Sequence, residues 1–134
     1  MKCSVVTPET TVVDAEVQFV VAPLYDGEYG IGENHSPAVG RLGAGELRLT
    51  LIDGTVEHWY VEGGFLEVLD NSVSLLTNRA ARLETLDVGA SRAALSRAQA
   101  LASNSPELAD VKESAVALAR SQLRAAQKGA RIKK

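Results

Sequence analysis

The stretch Thr85-Leu86-Asp87-Val88-Gly89 decides how this chain is read. Ahead of it, apolar and polar residues alternate with the period of two that puts successive side chains on opposite faces of a strand. Behind it the chain is rich in Ala, Leu, Arg and Gln, with no proline until Pro106. Charge changes sign at the same place. Residues 1–89 carry five Lys/Arg against fourteen Asp/Glu, a net of −9; residues 90–134 carry nine against three, a net of +6. A joint break in period and charge marks a domain boundary. The reading is a β-sandwich over residues 1–86 followed by an α-helical hairpin of two antiparallel C-terminal helices over residues 87–134.

Downstream of the boundary, Asp87 or Ser91 can cap a helix running to about residue 102. Ser103-Asn104-Ser105 is a polar turn. Ser105 suits an N-cap, Pro106 suits the first helical position, and Glu107 and Asp110 favour the positive end of the helix dipole. Leu108, Val111, Ala115 and Leu118 recur at three and four residues, an apolar stripe expected to pack on the sister helix, the sandwich or a partner. The second helix is expected to reach about Lys128 and to end at Gly129. So Ala-rich a pair cannot easily build its own core.

Upstream, strands are expected over residues 2–7, 11–21, 41–42, 46–52, 55–61, 65–69 and 72–77. Val17, Phe19 and Val21 are expected on one face of the second strand, and Leu47, Leu49 and Leu51 on one face of a later one. Residues 24–37 read as a long turn-rich connection with room for a short strand. Asp53-Gly54 predicts a two-residue type I′ hairpin turn, since Gly accepts positive φ. Asp70-Asn71 is a further turn, and Gly63-Gly64 allows a bend. Many short strands with frequent turns indicate a sandwich or flattened barrel.

Composition excludes more than it identifies. With one cysteine, Cys3, the chain holds no internal disulfide, and no apolar run approaches the length of a membrane span. Neither direct membrane insertion nor export by a basic-then-apolar leader is expected. His35 and His58 stand apart from the cysteine, so no close metal-ligand set or nucleophile–base pair is visible. The Gly27-Glu28-Tyr29-Gly30-Ile31-Gly32 run lacks the spacing of a dinucleotide fingerprint. The basic tail (Arg120, Arg124, Lys128, Arg131, Lys133, Lys134) has no aromatic residue for stacking, so nucleic acid is not an expected partner.

Gly27-Glu28-Tyr29-Gly30-Ile31 with His35-Ser36-Pro37 resembles the "GELGI…HAP" loop of the epsilon subunit of the F-type ATP synthase. Tyr60-Val61-Glu62-Gly63-Gly64-Phe65-Leu66-Glu67-Val68 is similar to that family's "Y-x-x-GG-x-x-EV" segment, and Leu86-Asp87 continues in order. The resemblance implies a non-enzymatic rotor subunit of the central stalk that couples proton flow to ATP synthesis. It implies a gamma subunit and a membrane c-ring as partners of the sandwich, with Glu28 and His35 facing the ring. It also implies a hairpin that restrains ATP hydrolysis by reaching an acidic segment of the catalytic beta subunits; Arg120, Arg124 and Lys128, whose i, i+4, i+8 spacing puts them on one free helix face, are the expected contacts. The expected location is peripheral, on the cytoplasmic face of a bacterial membrane or the matching thylakoid face. No cofactor is required. Some members bind ATP as a regulatory ligand through an "[IL]DxxRA" motif and later arginines, which would fall on Asp87, Arg97, Arg120 and Arg124. Here Ala90-Ser91 replaces the motif's Arg-Ala, and losing a positive donor weakens phosphate or base contacts. A free ligand-binding β-sandwich module with a helical appendage is the alternative.

Overall fold

A computed structural model of the chain describes residues 1–133; Lys134, the last residue of the basic tail, lies outside them. The chain forms two compact units, Met1–Arg82 and a second from Leu83 onward.

The first unit holds β1 (Lys2–Val6), β2 (Thr11–Leu24), β3 (Gly27–Ile31), β4 (Ala38–Arg41), β5 (Ala44–Leu51), β6 (Val56–Glu62), β7 (Phe65–Leu69), β8 (Ser72–Leu76) and β9 (Ala80–Arg82). The long β2 joins two layers. Its first half pairs antiparallel with β1, which continues through β8 and β7 to β4; its second half pairs with β3 and β5, and β5 leads to β6 and β9. Among the described residues, only β1 and β8 pair in parallel. The core lies between the layers, with Cys3, Val5, Val17, Leu47, Leu49 and Leu75 fully buried. Burial pushes the Cys3 thiol up to about 12, which keeps it protonated and inert.

Two expectations for this unit are corrected. Val17, Phe19 and Val21 do not share a face. A bulge between Val17 and Phe19 sets two residues of β2 against one step of β5. The parity flips there, so Val17, Val20 and Ala22 are buried while Phe19 turns outward. The Asp53-Gly54 link is not a two-residue type I′ turn. The Leu51 amide donates to the Thr55 carbonyl, and only Gly54 has positive φ (90°). The loop is therefore Ile52-Asp53-Gly54, with glycine in the left-handed position that closes a three-residue hairpin. Type I′ geometry occurs instead at Asp70 and Asn71, with φ of 50° and 57°, between Leu69 and Ser72. Residues 24–37 hold the short strand expected there, β3, a five-residue partner of β2 set between turns. Strand β9 and the following turn have too few residues for a periodic signal.

The second unit holds a 3-10 turn (Leu83–Thr85) and helices α1 (Val88–Gln99) and α2 (Pro106–Ile132). Asp87, not Ser91, caps α1; its carboxylate accepts from the Gly89 amide at 3.0 Å. The Ser105 hydroxyl accepts from the Leu108 amide at 3.2 Å, and Pro106 opens α2. Helix α2 does not stop at Gly129. It passes through that residue, which is buried because a Cβ there would stand 2.0 Å from the Leu83 carbonyl oxygen. Gly129 thus permits backbone-to-backbone approach rather than ending the helix. The side of α2 that packs is Ala119, Ala125, Ala126 and Gly129, whereas Leu108, Val111 and Leu118 remain exposed. Small residues let the backbones close up, and the larger stripe is left outside.

Candidate docking surfaces

On an antiparallel layer with one face in the core, outward positions ordinarily carry polar residues. The outer face of the β4–β7–β8–β1 layer departs from this. Cα register places Arg41 opposite Phe65, Phe65 opposite Leu76, and Leu76 opposite Val6, one row across four strands. Phe65 is 61% exposed and Leu76 58%, and Val39, on the same face one row along, is 77% exposed. Beside this row runs an open groove of about 390 Å³, lined by Val6, Thr7, Pro8, Phe65, Leu76 and Asn78. Large apolar side chains gathered on a folded surface mark a place where something docks. Sequence reading missed this surface. The signal was present as Phe65 and Leu76 at outward parity, flanking the buried Leu66 and Leu75.

The segment that carries Glu28 and His35 lies elsewhere in the unit. The two residues do not share one loop. Glu28 is in strand β3, and His35 is in the turn that follows. Glu28 pairs in register with Pro23 and Tyr29 with Ala22, so the two leave β3 on opposite faces. The Glu28 carboxylate accepts from Arg48 at 3.1 Å, and Arg48 also donates to Glu46 at 3.0 Å. Glu46 meets His58 Nδ1 at 2.7 Å. His58 therefore sits in a charged network with Glu46, Arg48 and Glu28; among the described residues no group of three or more potential metal ligands gathers. His35 lies between two partners: Nδ1 is 2.6 Å from the Ser36 carbonyl oxygen, and Nε2 is 3.0 Å from the Tyr29 hydroxyl. The turn is tied down further. The Asn34 amide donates to Asn71 Oδ1 at 2.8 Å, and Glu33 accepts from the Met1 ammonium at 2.9 Å. That ammonium and the Asn71 amide hold the Glu33 carboxyl below its ordinary range.

The helical unit presents its charged residues on several surfaces. Arg97 lines a groove between α1 and α2 with Ala94, Ala98, Leu101, Leu118 and Gln122. Arg120 lines a different depression, beside Ala109, Lys112, Glu113 and Val116. Arg124 is exposed and donates to Ser121 Oγ at 3.2 Å. Asp87 is spent on the α1 cap, ten residues and about 15 Å along the axis from Arg97. The expectation that Arg120, Arg124 and Lys128 form one uniform free face is not met. Arg120 and Arg124 are exposed, but Lys128 is half-buried and already engaged. Among the described residues, no helix is long and apolar enough to cross a membrane.

Residues 1–83 match the family model described as "ATP synthase, Delta/Epsilon chain, beta-sandwich domain". An ATP synthase epsilon chain of Rhodopirellula baltica is 44% identical over 125 residues, which is 93% of this chain and 97% of that one. That of Carboxydothermus hydrogenoformans is 46% identical over 99 residues, 74% of this chain and 73% of that one. Among solved structures, a chain of the Euglena gracilis mitochondrial ATP synthase OSCP/F1/c-ring assembly superposes with a TM-score of 0.82 at 25% identity, covering 93% of this chain and 79% of that one. A chain of the Tetrahymena thermophila mitochondrial ATP synthase central stalk and c-ring shares the fold, with a TM-score of 0.66 at 16% identity over 92% of this chain and 96% of that one.

Proposed function

The chain belongs to the ATP synthase delta/epsilon family as an epsilon chain, and on that premise we propose that it is a non-catalytic rotor subunit that seats on gamma and the c-ring and restrains ATP hydrolysis through its helices. The observation that carries the reading is the apolar row Val6, Leu76, Phe65 on the outer face of a well-packed sandwich. A free sandwich has no use for such a face; a stalk subunit has a gamma subunit to cover it. The segment from Glu28 to His35, pinned at several points, is the proposed ring-facing element, and pinning serves an element that must transmit torque. The subunit acts from the membrane periphery, on the cytoplasmic side in a bacterium, and moves no ions itself. Regulatory ATP, where it binds, is expected to use Arg97 and the other arginines of the helical unit.

Restraint of hydrolysis is proposed to act through Arg120 and Arg124, both exposed and so free of the cost of leaving a core contact. Exposed ion pairs are each worth only about 0–1 kcal/mol, so the two act together with shape and lose force with salt. The test is an ATPase titration of a catalytic complex lacking its epsilon chain. The parent chain should lower hydrolysis. Arg120→Ala/Arg124→Ala should bind as well yet restrain less, and added salt should relieve the parent more than the variant. If the variant restrains as strongly as the parent at low salt, charge is not the means.

A further inference from the structure

We infer that Tyr29 is the positioning residue for His35: its hydroxyl, donating to Nε2, fixes the imidazole as the Nδ1–H tautomer and sets the shape of the turn. The functional meaning rests on the ring-facing reading above; the geometry does not. A backbone carbonyl only accepts, so Nδ1, 2.6 Å from the Ser36 oxygen, must carry a proton. In the neutral ring Nε2 then bears the lone pair, and at 3.0 Å it can only accept from the Tyr29 hydroxyl. When the ring is protonated, the same hydroxyl can rotate and accept from Nε2–H, so the imidazole keeps its direction in both charge states.

The hydroxyl itself is well anchored. Tyr29 leaves β3 on the inner face, opposite the fully buried Ala22, and its ring packs on the hydrophobic core. The His35 ring meets it edge-on, with centroids 5.4 Å apart and planes at 73°. Both ring nitrogens are thus occupied within the chain. His35 serves the docking segment as an internal staple between β3 and the turn, and the polar contact with a partner falls to Glu28 on the opposite face of the strand.

The test is ¹⁵N NMR of the full chain labelled at histidine, at alkaline pH, with His35 assigned against a His58→Gln variant. The parent should show His35 as the Nδ1–H tautomer with a hydrogen-bonded Nε2. In Tyr29→Phe, which keeps the ring on the core, the Nε2 signal should move toward that of an unbonded pyridine-type nitrogen. Exchange of the Asn34 amide should rise about fivefold, the change in opening constant that one neutral hydrogen bond supports. An Nε2–H tautomer in the parent, or a His35 spectrum unchanged in Tyr29→Phe, overturns the proposal. The ring-facing reading is tested on a different variant: Glu28→Ala should weaken proton-coupled ATP synthesis in the assembled enzyme and leave the His35 signals where they are.

Discussion

Replacing Gly129 by Ala should loosen the helical unit, against the ordinary trend. In a helix interior the change from Gly to Ala stabilises by about 1 kcal/mol, since Gly surrenders the most backbone freedom. Here the new Cβ would stand 2.0 Å from the Leu83 carbonyl oxygen and 2.5 Å from its carbon. Both are backbone atoms, so no rotamer change makes room. Helix α2 and the 3-10 turn must part by roughly 1 Å or more, which forfeits much of the dispersion contact around the buried Leu83 and Ala126. Forced overpacking of this kind costs about 1–3 kcal/mol, so against the helix gain of about 1 kcal/mol the net loss of stability within the unit reaches about 2 kcal/mol. Hydrogen exchange on the full chain is the assay. Amides of residues 119–132 should exchange faster, by up to about thirtyfold, the factor that about 2 kcal/mol sets on an opening equilibrium. Gly89→Ala is the control, because its Cβ would meet Asp87 Oδ1 at an ordinary 3.5 Å; it should slow exchange in α1. If Gly129→Ala slows exchange as well, the approach to Leu83 does not hold the helix, and the account of why α2 passes through a glycine is wrong.

Gly64→Ala should be more damaging still, since its φ is 105° and a Cβ would lie against the Leu76 carbonyl; about 2–6 kcal/mol is expected from strain and overlap together, read as a lowered urea midpoint. For Glu33, hydrogen bonds from the Met1 ammonium and Asn71 lower the folded-state pKa from 4.5. Its contribution is therefore present above 4.5 and lost as pH falls through the lowered value, and Glu33→Gln should flatten the acid limb of a stability–pH curve in that window. The Met1 ammonium is raised above 8.0, chiefly by its hydrogen bond to Glu33, so its share is present below 8.0 and fades as pH rises through the raised value; Glu33→Gln should reduce that alkaline loss too. Ala90→Arg restores a positive donor at the exposed start of α1 and should raise affinity for ATP by about tenfold or more in calorimetry, the worth of one charge-assisted hydrogen bond.

The sandwich and the two helices were legible because alternation, paired turn residues and the Ser105-Pro106 start each encode local geometry. What escaped was geometry that depends on contacts far along the chain. Nothing near Gln18 announces a bulge, since the partner step lies on β5. Asp53-Gly54 satisfies the composition of two hairpin turns, and the register of β5 with β6 chooses between them. Gly129 satisfies the composition of a helix end and of a close crossing, and Leu83, more than forty residues earlier, decides the matter. The docking row was invisible for the same reason: Val6, Leu76 and Phe65 are ordinary strand residues until parallel pairing of β1 with β8 sets them side by side. Glu28 and His35 could be singled out by motif, but which face of β3 each belongs to could not.

Phe65→Ser with Leu76→Ser tests the central claim, that the outer face of the β4–β7–β8–β1 layer is where gamma seats. Both side chains project outward with more than half their surface exposed, so the pair should leave the unfolding midpoint of the chain nearly unchanged. Burying the exposed part of each is worth about 1–2 kcal/mol. Affinity for the isolated gamma subunit, measured by calorimetry, should therefore fall by roughly one to three orders of magnitude in Kd. A doubly substituted chain that folds as the parent does and binds gamma with the parent's Kd would contradict the account.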